Sequence, residues 1–143
     1  MARSALEVAV VASQSLVMQS ESLLSEALAA NRLTYATAQA LWAIDPDEPA
    51  PSMKTVAGRL FCNSPNLSFV MNQLTERGLV ERSVDPNDRR SRVVTLTPEG
   101  RRVRAEVIDA ALKVTPLARL TPRELEQFSR LLATALDAPA DAT

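Results

Sequence analysis

Histidine is absent from all 143 residues. That removes the side chain best suited to proton transfer near neutral pH and the commonest metal ligand. The single cysteine, Cys62, excludes an internal disulfide and gives no reason to expect an oxidising compartment. No glycine-rich phosphate cradle and no nucleophile beside a matched base occurs, so neither an enzyme, a metal site nor a cofactor is expected. Apolar runs are all too short to span a bilayer. The opening Met1-Ala2-Arg3-Ser4-Ala5-Leu6 faintly resembles a signal peptide, but Glu7 and Gln14 interrupt it, so a cytoplasmic location is expected. Aromatics make up only 3% of the chain, so its core must be built from Leu, Val, Ala and Met, a composition that favours helices.

What is present is unevenly placed. The net charge is −1, yet residues 53–104 hold ten Lys or Arg against five Asp or Glu, while the rest holds six against twelve. A basic middle between acidic ends suggests that one segment meets a polyanion. All three glycines, Gly58, Gly78 and Gly100, fall within it.

Ser4 can cap a long first helix whose apolar residues recur at Leu6, Val10, Val17, Leu24 and Leu28, with Val11, Leu16 and Leu23 on a flanking row. So broad an apolar front calls for two neighbours and hints at a partner chain. Thr34 can cap a second helix carrying Ala38, Leu41, Trp42 and Ile44, stopped by the prolines of residues 45–51. Ser52 restarts a short helix through Leu60. After the tight connection Cys62-Asn63-Ser64, Ser64 as cap and Pro65 at the first position predict a further helix with Leu67, Val70, Met71 and Leu74 buried, ended by Gly78. The β-branched runs 80–84 and 92–96, joined by a charged loop over 85–91, read as a hairpin. Thr97-Pro98 opens another helix, Pro116 ends or bends it, and Thr121-Pro122-Arg123-Glu124 is a capping box for the last, running to Leu136. Residues 137–143 have no apolar pattern and are expected to be disordered.

Two helices joined by three or four residues, followed by a basic hairpin, describe a winged helix-turn-helix, here expected over residues 33–97. The whole is mainly α with a small β-hairpin wing, flanked by long helical parts over 4–30 and 98–136. The second helix of such a unit must project side chains into the major groove. The outward face opposite the buried stripe shows Pro65, Ser68, Phe69, Asn72 and Glu76, with Asn66 and Gln73 at its flanks and Ser64 at its N-terminus. Arg89 and Arg90 sit at the hairpin tip, with Arg82 and Arg92 on its strands, where arginine can enter a narrow minor groove. Asp85 and Asp88 beside them can brace an arginine by a bidentate pair.

The runs Gly78-Leu79-Val80-Glu81-Arg82, Asp85-Pro86-Asn87-Asp88-Arg89-Arg90 and Leu96-Thr97-Pro98-Glu99-Gly100 together resemble the signature of the MarR family of regulators. The resemblance covers residues 33–100 in motif and extends to Leu136 in architecture. It implies a double-stranded DNA-binding transcription regulator, a homodimer held by its first and last helices, a palindromic operator, and repression relieved by a small aromatic or lipophilic ligand. It further implies that residues 65–77 form the recognition helix, that Arg90 enters the minor groove and that Asp88 braces it. Phe69 departs from the pattern, standing where many relatives carry a polar or basic residue. Phenylalanine can touch a thymine methyl but cannot hydrogen-bond, so base preference does not carry over.

Other residues admit blander roles. Cys62 reads foremost as a small buried hydrophobe; a redox-responsive regulator using Cys62 stays as an alternative, as does a winged helix used only for protein contacts. Tyr35 and Trp42 could line a ligand cavity, although core packing is the stronger expectation for Trp42. Arg101, Arg102 and Arg104 read as a solvated or phosphate-near face.

Overall fold

A computed structural model describes residues 2–137 of the chain. Of the tail 137–143 expected to be disordered, Asp137 is the C-cap of α6 and residues 138–143 lie outside the described residues. The order is α1 (Ala5–Ala30), α2 (Tyr35–Trp42), α3 (Met53–Leu60), α4 (Ser64–Glu76), β1 (Val80–Asp85), β2 (Asp88–Leu96), α5 (Pro98–Val114), a 3-10 turn (Pro116–Arg119) and α6 (Pro122–Leu136). Among the described residues no helix is long and apolar enough to cross a membrane.

Each α-helix begins where a short polar side chain can satisfy a free backbone N–H. Ser4, Thr34, Ser52, Asn63, Thr97 and Thr121 accept from the amides of Glu7, Thr37, Thr55, Asn66, Gly100 and Glu124. Such caps contribute about 1 kcal/mol apiece. One position corrects the sequence reading: Asn63, not Ser64, caps α4, so Ser64 and Pro65 become its first two residues and the helix covers Ser64–Glu76 rather than 65–77. Asparagine is as good a cap as serine, and proline is tolerated anywhere in a first turn whose N–H groups lack partners.

Helix C-termini pose the opposite problem of unpaired carbonyls, and three arginines meet it at two of them, the ends of α1 and α2. Arg77 donates to the carbonyls of Asn31 and Arg32, both at 2.6 Å, closing the end of α1. Arg104 reaches from α5 to the carbonyls of Leu41 and Trp42 at the end of α2, both at 3.1 Å. Arg59 donates to Ala43 O at 2.7 Å and to the Glu48 carboxylate at 3.0 Å. Arg104 was expected on a solvated face; its charge instead sits on the negative end of a helix dipole, and its neighbour Arg102 pairs with Glu99 and Glu106. The hydrogen bond from Arg102 holds the Glu99 carboxyl below its ordinary range.

The core gathers Leu41 and Ile44 from α2 and the turn after it, Val56 from α3, Leu67, Met71 and Leu74 from α4, and Val94 and Val107 from β2 and α5. The hairpin is antiparallel, with Val80 opposite Leu96 and Val84 opposite Arg92. Ser52 forms a bridge to Val93, and Val94 N–H donates to Pro51 O at 2.9 Å, so the entry to α3 lies along the wing's inner edge. Only Leu24 and Leu28 of α1 are buried, and α6 buries no residue.

The wing is anchored where α4 ends and α5 begins. Gly78 turns the chain at φ +70, a conformation that favours glycine. Leu79 O accepts from Thr97 N–H at 3.1 Å and Gly78 O from the Thr97 hydroxyl at 2.6 Å. A Cβ on Gly100 would stand 1.8 Å from Leu79 O, so only glycine lets α5 approach this closely. Gly100→Ala therefore lowers stability by about 1–3 kcal/mol, as overpacking against backbone does. Denaturant unfolding measures this, and an unchanged midpoint would mean that the approach is not needed.

Candidate nucleic-acid interface

The turn Phe61-Cys62-Asn63 sets the angle between α3 and α4. Phe61 caps α3 at φ 52, in the left-handed region that a non-glycine residue seldom adopts. Beyond it, Leu67, Met71 and Leu74 fix α4 on the core, with Val70 half-buried beside them. This leaves Pro65, Asn66, Phe69, Asn72 and Glu76 exposed, while Ser68 and Gln73 are half-buried at the flanks. The 3.6-residue period dictates that division. The Ser64 side chain lies outside what the structure describes. Phe69 is 65% exposed and stands with Asn66 and Gln73 beside a shallow groove whose other wall includes Cys62 and Thr34. Cys62 itself is half-buried and packs against the core.

The hairpin differs from its expected form. Its strands run to a two-residue turn, Pro86-Asn87, and the expected loop over 85–91 is mostly strand. Asp85 pairs with Asp88 but Val84 pairs with Arg92, so Arg89, Arg90 and Ser91 lie between those pairs with no counterparts on β1. A bulge of this kind breaks the ladder and bends the strand that carries it. Arg89, Arg90 and Arg92 are all exposed, and among the described residues none forms a salt bridge.

Asp88 does not make the expected bidentate pair with an arginine. Its Oδ1 accepts from the Arg90 backbone N–H at 3.0 Å, while Asp85 Oδ1 accepts from Asn87 N–H at 2.8 Å. An aspartate side chain is short enough to bond its own backbone two residues on, and in a tight turn this local bond competes with a distant guanidinium. Asp88 thus fixes the backbone that carries Arg90 and leaves the guanidinium unpaired.

One contact escaped sequence reasoning. Arg82 on β1 donates from Nη2 to Asn72 Oδ1 on α4 at 2.6 Å. The wing strand therefore touches a side chain on the outward face of the helix. Alternation along β1 could place Arg82 on one face of the hairpin, but only the tertiary angle between hairpin and helix brings the two residues together.

A cavity of about 770 Å³ lies among α1, α2, the end of α3, α5, the 3-10 turn and α6. Tyr35, Leu24, Val107 and Leu117 line it, as does Trp42, which is 41% exposed. Of the two readings of Trp42, core packing was the stronger; the residue instead ends α2 at the cavity wall, the weaker reading.

Comparison with known proteins gives the same architecture. The family "Winged helix DNA-binding domain" matches residues 33–100. The transcriptional regulator HosA of Escherichia coli O111:H- is 31% identical over 94 residues, covering 64% of this chain and 70% of that protein. The transcriptional repressor CouR, solved on a 23-mer DNA duplex, is 26% identical with a TM-score of 0.73, over 88% of this chain and 90% of CouR. CouR from Rhodococcus jostii RHA1 bound to p-coumaroyl-CoA superposes with a TM-score of 0.77 at 23% identity, over 93% and 94% of the two chains. A MarR-family regulator from Rhodococcus sp. RHA1 shares the fold at 20% identity, with a TM-score of 0.76 over 94% and 96% of the two chains. With the signature runs around Gly78, Asp85 and Leu96 placed on a winged helix-turn-helix, and a relative of this identity and coverage, the chain belongs to the MarR family of DNA-binding transcription regulators.

Proposed function

We propose that this regulator acts in the cytoplasm as a homodimeric repressor on a palindromic operator, and that a small, largely apolar ligand in the cavity beside Trp42 and Tyr35 releases it. The observation that carries the DNA side is the bulge that lifts Arg89 and Arg90 out of the wing ladder with unpaired guanidinium groups. Their place at the tip suits the minor groove, whose degenerate pattern lets arginine sense width and potential more than sequence. Arg92 adds charge on the strand, and Asp88 sets the wing backbone. Within α4, Ser64, Pro65, Asn66, Ser68, Phe69, Asn72 and Gln73 meet the major groove. The N-terminal end and outward face of a recognition helix are the parts that reach its floor.

The dimer reading rests on apolar surface that one chain leaves bare. Leu6 is 74% exposed, Val17 53%, Leu131 69% and Leu136 70%, on the two terminal helices. A monomer that leaves this much apolar surface bare on two helices is prone to associate. The CouR structure with p-coumaroyl-CoA supports a ligand for the cavity by analogy of fold. The lining here is aliphatic and aromatic, with few polar groups to orient a guest.

Three outcomes test this. Sedimentation at micromolar concentration gives a species of twice the 15.5 kDa chain mass, whereas a lone 15.5 kDa species refutes the dimer. Arg90→Ala weakens binding to every operator variant by about 1–3 kcal/mol per half-site and lowers the salt slope; wild-type affinity at moderate salt would remove Arg90 from the interface. Phe69→Ala costs most on operators with thymine under α4, and replacing that thymine by uracil, which lacks the methyl group, reproduces the loss. Equal sensitivity of both proteins to the uracil swap would dissociate Phe69 from the methyl.

A further inference from the structure

Asparagine presents two faces to a base, and which of them points into the groove decides what it reads. Its Oδ1 accepts and its Nδ2 donates twice, whereas a guanidinium can only donate. The Arg82 Nη2 at 2.6 Å must therefore be meeting Oδ1, which fixes the amide without ambiguity. Asn72 lies on the exposed face of α4 and Arg82 on the exposed face of β1, and among the described residues no carboxylate forms a salt bridge with Arg82. The oxygen is turned toward the wing, and the two N–H groups are turned away from it.

We propose that Arg82, although it sits on the wing, is a positioning residue for base recognition: by holding Asn72 Oδ1 it turns the Asn72 N–H groups toward the base and biases the residue to read guanine. The proposal rests on α4 being the helix that enters the major groove. Bidentate reading of adenine needs the asparagine oxygen to accept from N6 while its nitrogen donates to N7. With the oxygen held by Arg82 that arrangement is disfavoured. Guanine instead offers two acceptors, N7 and O6, to the donors that remain. The hairpin anchors make the hold stiff, since β1 leaves α4 through Gly78 and Leu79, whose carbonyls both accept from Thr97.

Selection of bound sequences from random duplex DNA tests this with five proteins: wild type, Arg82→Ala, Arg82→Lys, Asn72→Ala and the double variant. Wild type should prefer guanine over adenine by about 5-fold or more at one position of each half-site, the discrimination expected of a well-placed hydrogen-bonded pair. Asn72→Ala should flatten that position alone. Arg82→Ala should move it toward adenine, because the freed amide can turn and bond adenine through both atoms. Arg82→Lys keeps a donor at Oδ1 and should retain guanine. The double variant Arg82→Ala with Asn72→Ala should match Asn72→Ala, as expected when one residue acts through the other. Circular dichroism and the melting temperature confirm that each variant is folded. A guanine preference that survives Arg82→Ala, with affinity falling evenly across sequences and a shallower salt slope, would make Arg82 a phosphate contact and overturn the proposal. So would adenine at the Asn72 position in the wild-type motif. Failure of the wild type to enrich any sequence would instead overturn the DNA-reading role of α4, and the proposal with it.

Discussion

The direction of the wing is fixed by one close approach of backbone to backbone. The hairpin begins one residue after Leu79 and ends one residue before Thr97, and these two residues are joined by the Thr97 N–H on Leu79 O at 3.1 Å. Gly100 then lies flat against the same Leu79 carbonyl. The root of the wing, the last turn of α4 and the first turn of α5 thus meet at a single carbonyl. The arms of the hairpin can twist, but the root cannot slide without breaking the cap of α5 or the turn at Gly78. Through this junction the packing of α5 on the core sets the angle between recognition helix and wing, the quantity on which simultaneous contact with two grooves depends.

The same region shows why charge along a sequence is a blunt instrument. The basic excess of residues 53–104 directed attention to the right segment. Much of it nevertheless does something else: Arg59, Arg77 and Arg104 close helix ends, and Arg102 is held between Glu99 and Glu106. Arg89, Arg90 and Arg92 stay exposed, and among the described residues none of them meets a carboxylate. An arginine that will fork onto carbonyls many residues away looks no different in sequence from one that will meet phosphate. Arg104 lies 62 residues from its partner Trp42, and no local pattern encodes that distance.

Features carried by short-range physics were legible. The helix starts at Ser4, Thr34, Ser52, Thr97 and Thr121 follow from a polar side chain facing its own N–H groups, and the buried stripe of α4 follows from its period. Where two local solutions were nearly equal, the reading slipped by one residue, as at Asn63 and Ser64. The wing loop was read too long because its bulged residues, Arg89 to Ser91, carry no apolar alternation to mark them as strand. Asp88 was expected to hold the Arg90 guanidinium and instead holds the backbone N–H of the same residue. The Arg82 to Asn72 bond was beyond reach, since it needs the angle between two elements rather than the pattern within either.

The cavity and the groove beside α4 share two wall residues, Gln39 and Leu60. Arg59 and Leu60, the last two residues of α3, are part of the cavity wall, and α4 begins four residues after Leu60. Arg59 also ties α3 to Ala43 at the end of α2 and to Glu48 in the proline-rich segment. An occupant that displaces the Arg59 side chain must break at least one of those bonds or carry α3 with it. Because Phe61 is already held in a left-handed conformation, the turn has little slack to absorb such a movement locally. Displacement of α3 would then be passed to the N-terminus of α4, the end proposed above to meet the major groove. A ligand needs only to favour one position of α3 over another to shift the DNA-binding equilibrium, and the shift is limited to its difference in affinity for the two.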